Sequence, residues 1–400
     1  MKYYLLLAIV FSKCILANED SLNFAGIPAL SFDSDNGFGY GLIGSVYNNN
    51  TNYEPYKYSL DGQFFLTTKN YHSHFMRFDK INPFSLPLRL ISKLGFLSNI
   101  SQNYCGKASD SSCSEEVAKL SVKDDELRKH FYQNRFMSIN ASVIGHWLIS
   151  DKFGKFKLAT NYFGNYYLHR DFTNTKAYPA SLYEKDFSEH KEEGYLSSIE
   201  AGLILDKRNT ESSTTQGYLL EASIRGAHKY TLSSWDYIAG NISARFFWPL
   251  IKDKSLVFAH HFIADSIYGD LTFDAMSKVG GMNAINDYSA FGGQYLGRGI
   301  SRQMFVGRIK FIKQMELRYQ FLSFDLLKQN FDLSAVLFSD LGMVAWDYDR
   351  FAKDMKKLHA GFGSGIRIHW NKNFIVRADV GFSPSENYSP KVYIVVGQTF

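Results

Sequence analysis

The feature that most constrains this 400-residue chain is the way its apolar residues are spaced: they recur at every second position, segment after segment. In FIVRADVGF, Phe374, Val376, Ala378, Val380 and Phe382 share one side of an extended strand, while Arg377 and Asp379 share the other. IRIHW divides in the same way, with Ile366, Ile368 and Trp370 opposed to Arg367 and His369. The closing stretch KVYIVVGQTF sets Val392, Ile394, Val396 and Phe400 on one face. Alternation of this kind suits a soluble sandwich as well as a membrane barrel. Length favours the barrel, since the segments run to about ten residues, enough for a tilted strand to cross a bilayer. Beyond Ala17 no apolar run approaches the roughly twenty residues of a membrane helix, so a membrane form of this chain has to be a closed sheet. Aromatic residues make up 16% of the chain beside a negative mean hydropathy, as expected where apolar and polar positions cancel in any window. The net charge of +5 is small and scattered and gives no footing for nucleic acid.

GFGYGLIG, residues 37–44, spells a dinucleotide-binding fingerprint at Gly39, Gly41 and Gly44. A phosphate cradle needs an apolar strand before it and a helix after it. Here SFDSDN precedes, and NNNTNYEP follows soon after. The stretch therefore reads as a strand, with Gly37, Gly39, Gly41 and Ser45 on one face and Phe38, Tyr40, Leu42 and Val46 on the other.

The N-terminus combines Lys2, an apolar run from Tyr3 to Phe11 and a small residue at Ala17, which predicts a signal peptide over residues 1–17. Lys13 argues against lipidation at Cys14. Residues 18–400 show no break in composition and read as one domain, an all-β antiparallel transmembrane barrel of about sixteen strands with both termini on one side. IPALSF is taken as the first strand and GFGYGLIGSVY as the second. Short turns (SDKFGK, KDK, NKN) alternate with long polar segments near residues 98–130, 169–194 and 270–305. In an exported chain, Cys105 and Cys113 are expected to pair, removing on the order of 2 to 3 kcal/mol of disorder from the loop between them. Metal binding by these thiols is the weaker alternative, because no histidine lies close by.

Several stretches, in order, resemble the BamA/TamA family of outer-membrane barrels. They are LILDKRNTESSTTQGYLLEA (residues 203–222), QYLGRGISRQMFVG (294–307), MELRY (315–319), FSDLG (338–342) and the closing VVGQTF. The resemblance implies that Arg298 and Gly299 form the tip of a long extracellular loop that folds inward. Glu316 of MELRY sits where the family has a strand with a Glu, and Phe338, Asp340 and Gly342 fit its F-x-D-x-G; if the apolar faces meet lipid, Arg298 would find these carboxylates in the lumen. Period-2 geometry agrees, placing Glu316 with Gln314 and Arg318, and Phe338 with Asp340 and Gly342. A solvated Arg298 is the bland alternative. The resemblance also implies a weak seam between first and last strands, softened at Gly397, with Val392, Ile394, Val396 and Phe400 acting as seam and assembly signal. Two departures stand out: Ile300 occupies the position where the family has an aromatic residue after Arg-Gly, and the stretch between Ala17 and the first strand leaves no room for POTRA domains.

Asp206 and Arg208 read as a pair across a turn. His260 and His261 point to opposite faces and cannot share a metal. No G-x-S-x-G, H-E-x-x-H or Cys/His cluster supports an enzyme, and neither cofactor nor metal is expected. The resemblance implies residence in the bacterial outer membrane among lipid and lipopolysaccharide. It further implies assembly by the barrel-insertion machinery, and a protein client or a separate periplasmic partner. The resulting expectation is a barrel that assists insertion or translocation of protein or lipid. The competing readings are a passive barrel or pore with antigenic or binding loops and, last, a lipid-modifying enzyme.

Overall fold

A computed structural model describes residues 21–400 apart from 51–52, 54–55, 108–111, 124, 129, 170–180, 188–189, 191, 212, 281, 283–289, 327–328 and 371–373. The expected signal peptide and the NKN turn lie outside the described residues. Sixteen strands follow one another, beginning with β1 (Ser21–Asp33), β2 (Gly37–Asn49), β3 (Tyr58–Thr67), β4 (Tyr71–Ile81) and β5 (Leu88–Asn103). Then come β6 (Gln133–Ser150), β7 (Lys155–His169), β8 (Gly194–Asp206), β9 (Gly217–Ala227), β10 (Tyr237–Pro249) and β11 (Leu256–Gly269). The last five are β12 (Ile309–Leu326), β13 (Gln329–Ala345), β14 (His359–Trp370), β15 (Phe374–Phe382) and β16 (Lys391–Val396). Each strand pairs antiparallel with its sequence neighbours, and β1 pairs with β16, so the sheet closes into a barrel. Closure lets backbone donors and acceptors find partners from strand to strand, which is the condition for a sheet to stand in lipid.

Alternation decides which side chains face out. On β12, Lys310, Ile312, Gln314, Glu316 and Arg318 are buried toward the lumen, whereas Phe311, Lys313, Met315, Leu317 and Tyr319 point outward. Leu42, Phe64, Met76, Leu94, Ile224, Ile242, Leu337 and Ile366 are among the large apolar side chains left exposed on the outside. Aromatic pairs mark both rims, with Tyr268 against Tyr348 at the long-loop end and Trp248–Phe258 and Phe331–Trp370 toward the short-turn end. Such belts sit where a bilayer meets water.

The glycines of β2 are explained by what lies over them. A Cβ on Gly39 would run into the Phe65 ring and Ser31 Oγ, and one on Gly41 would strike the backbone of Phe64 and Phe65. No helix follows this stretch, which pairs with β1 and β3 along its length.

Two boundaries differ from the sequence reading. β1 begins six residues before IPALSF, at Ser21. β16 stops at Val396 instead of running to the end of the chain: Gly397 adopts φ +97°, and Phe400 is buried in the lumen beside Phe247 and His261. Phe400 therefore does not share the outward face of Val392, Ile394 and Val396. A positive φ costs a glycine nothing, so Gly397 is where a strand can turn aside.

Candidate functional site

The long connection between β11 and β12 folds into the barrel, and its tip is the most heavily bonded point in the lumen. Phe291, Leu296, Ile300 and Phe305 are buried, packing against Ile263, Ile312 and Val344 of the wall, while Ala290 and Val306 are buried in a neighbouring cluster with Ile267. From this apolar base Arg298 projects with no exposed surface. Its Nε and Nη2 donate to the two carboxylate oxygens of Asp340, both at 2.9 Å, and its backbone N–H also donates to Asp340 at 2.9 Å. Nη1 donates to Glu316 at 2.6 Å and to Thr399 Oγ1 at 3.3 Å, and reaches Asp379 at 3.4 Å. The guanidinium lies 3.6 Å from the centre of the Phe338 ring. A planar, five-donor cation is the side chain suited to so many partners at once.

The backbone fits as closely as the charge. Gly299 has φ +93°, and its N–H donates to the Tyr393 hydroxyl at 3.2 Å. A Cβ there would meet the backbone of Phe382 at 2.5 Å. Opposite, Cβ atoms on Gly361 and Gly381 would strike the backbone of Arg298 and Gly299, and one on Gly342 would meet the Phe291 ring at 2.6 Å. The loop tip thus rests on a floor of glycines from β13, β14 and β15.

Further charges extend the network. Glu316 accepts from Arg318 at 2.7 Å and lies 3.5 Å from Arg367. Asp379 accepts from Arg367 at 2.5 Å and from Arg377 at 2.9 Å. Arg377 also donates to Gln294 O and to Thr399, and Arg318 donates to Phe400 O at 3.1 Å. Four arginines and three carboxylates are thereby held together, all of them out of contact with water except for an edge of Arg318.

The structure brings Arg298, Gly299, Glu316, Phe338, Asp340 and Gly342 into one cluster. It leaves Val392, Ile394 and Val396 on the outer face of β16, away from it. Sequence reasoning did not single out Arg318, Tyr393, Thr399 or the glycines of HAGFGSG, and it treated Arg367, Arg377 and Asp379 only as a charged face. The alternating glycines of β14 were the available signal, because they repeat the pattern of β2.

The site is covered from the long-loop side. Cys105 and Cys113 are joined in a disulfide, and Cys105 packs in the same apolar cluster as the loop tip. Gln102 Nε2 donates to Asp274 and to Gln303, tying β5 to the inserted loop. Above, Tyr104, Tyr183, Phe273 and Trp235 belong to an aromatic cap against which Phe187 and Trp346 pack. Burial pushes the Glu192 carboxyl up to about 8 and that of Asp274 up to about 6. Elsewhere, Arg208 grips Asp206 with two bonds of 2.9 Å at the β8–β9 turn. His261 faces the lumen, bonded to Gln314, while His260 faces out.

The seam is short. β1 meets β16 at two register pairs, Phe32–Ile394 and Asp33–Tyr393, extended by Ser34 N–H donating to Val392 O. Residues of β1 with the parity of Ser34 turn their polar backbone groups toward β16. Pro28 shares that parity and has no N–H to offer along this edge.

A closed sixteen-strand barrel, apolar outside and latched inside by its own loop, defines an outer-membrane protein with a plugged lumen. The model of the Omp85 superfamily domain matches residues 94–400, and the chain belongs to that superfamily. It is a bacterial outer-membrane β-barrel, with the long loops extracellular and the short turns periplasmic. Similar solved structures include BamA from Haemophilus ducreyi lacking POTRA domains 1–3 (TM-score 0.55, 13% identity, covering 95% of this chain and 70% of that one). CdiB from Escherichia coli (0.60, 10%, 96% and 63%) and CdiB from Acinetobacter baumannii (0.50, 13%, 94% and 65%) are also similar. The chain thus spans about two thirds of the length of these proteins. No curated protein matches it.

Proposed function

We propose that this barrel assists insertion or translocation of a protein or lipid at the outer membrane, with the β1–β16 seam as the place of exit. The observation that carries the reading is the contrast between a firmly latched lumen and a wall joined at β1–β16 by two register pairs. A passive pore would need an open lumen, and Arg298 holds the inserted loop across it. An unpaired strand edge in lipid is costly, so the β1 residues beyond the seam favour an incoming strand over a hydrocarbon chain.

Cysteines at Phe32 and Ile394, which face each other across the seam, test this. In proteoliposomes the reduced F32C/I394C barrel should speed the insertion of an unfolded outer-membrane barrel protein, and the oxidised form should lose that effect. Equal activity of the two forms, or none in the unmodified protein, defeats the proposal. For the chain's own assembly, deleting Phe400 is expected to reduce the inserted fraction in cells, and full insertion would remove Phe400 as a signal to the assembly machinery.

A further inference from the structure

On the outer wall, Lys313 stands where the membrane solvent least tolerates it. It points outward from β12, exposed between Phe311 and Met315 on its own strand and between Phe262 and Leu341 on the neighbours. Phe262 lies on β11 between the aromatic belts, with Tyr268 toward one rim and Phe258 toward the other. Lys313 is therefore near the middle of the hydrocarbon layer, where an outward lysine costs a barrel about 2 to 4 kcal/mol. Among the described residues, no other outward position away from the strand ends carries Lys, Arg, Asp or Glu. The polar neighbours on this face are His260, Ser339 and Ser364, none of them acidic.

We propose that the outer face of β8–β14 around Lys313 is the docking surface for a different membrane-embedded protein that presents a carboxylate to Lys313. Three considerations select this occupant. A lipid phosphate lies about 15 Å away at the interface, half the thickness of the layer, beyond the reach of a lysine stem. Among its described residues, a second copy of this chain has no outward carboxylate at mid-height to offer. Beside Lys313 the wall is also hollowed: Ala201, Ala222, Gly240 and Ala264 floor a groove of about 550 Å³ walled by Ile242 and Phe311. Small side chains of this kind let another backbone approach closely within a membrane.

The test uses the full chain in intact outer membranes. Dicyclohexylcarbodiimide partitions into hydrocarbon and condenses an amine with an adjacent carboxylate, taking up the water as its urea. Mass spectrometry should then find the Lys313 peptide joined through Nζ to an Asp or Glu of another membrane protein. A photo-reactive residue at Leu341 should give an adduct with the same protein, kept in Lys313→Arg and reduced at least ten-fold in Lys313→Leu, with heat-modifiable migration of the barrel unchanged. A Lys313 that stays unmodified, or couples only to lipid or to this chain, overturns the proposal, as does a photo-adduct indifferent to Lys313→Leu.

Discussion

Arg298 is bonded so completely that its removal takes the guanidinium from Asp340 in a site without solvent, while Glu316 keeps Arg318 and Arg367 beside it. Arg298→Ala is accordingly expected to cost about 3 to 5 kcal/mol, because breaking a buried pair strands the remaining charge. The readout is the temperature at which the folded band on an unboiled gel gives way, together with resistance to protease. Gly299→Ala keeps every charge but adds a Cβ at φ +93° against the Phe382 backbone. A loss of about 1 to 3 kcal/mol is expected from that strain alone. Comparing the two variants separates the contribution of charge from that of fit. At this scale the sequence was legible in part. Arg298, Glu316 and Asp340 were found because their motifs stand in order and their parity turns them inward. Thr399 and Tyr393 were not, because their contacts depend on where the tail goes after Gly397 and on a loop brought in from outside. No local period encodes either.

The elements followed from spacing wherever lipid was the judge of it. β13 to β15 alternate without interruption and appear where the apolar parity places them, and β12 does so as far as a register shift between Gln320 and Leu322. β16 is shorter than its alternation suggests, because parity continues through Gln398 and Phe400 while the backbone leaves at Gly397. The β2 glycines were recognised as one face of a strand, but the reason for them, the Phe65 ring and the β3 backbone, is a contact between strands. The inserted loop and its cap carry a pH dependence of their own. Glu192, buried and accepting from Phe273 N–H at 3.0 Å, has its carboxyl raised from 4.5 to about 8. A carboxyl that binds its proton more tightly when folded contributes its full stabilisation below the unfolded pKa and loses it as pH rises through the folded one. Amide exchange across residues 270–280 should therefore quicken between roughly pH 5 and pH 8. Glu192→Gln should flatten that profile, and an unchanged slope would place the titration elsewhere.

Considered whole, the molecule is a rigid wall with two exceptions, a plug held by charge and a seam held by few bonds. Removing residues 290–304 takes away the plug and leaves every strand intact, so planar-bilayer recordings should change from low, erratic current to a large steady conductance. No change would mean that other loops fill the lumen. The closed shape follows from alternation and an even strand count, but the filling of the lumen does not, since an inward polar face serves a water-filled channel equally well.

Gly397 has one more consequence. The four residues from Gly397 to Phe400, lying as they do inside the barrel, cannot also lengthen the last strand. In the lengthened arrangement Gln398 would stand opposite Pro28, which cannot answer its carbonyl, and Phe400 would move from arginine to hydrocarbon. Drawn inward, the tail acts as a bolt, bracing the plug through Thr399 while the wall's joint stays short.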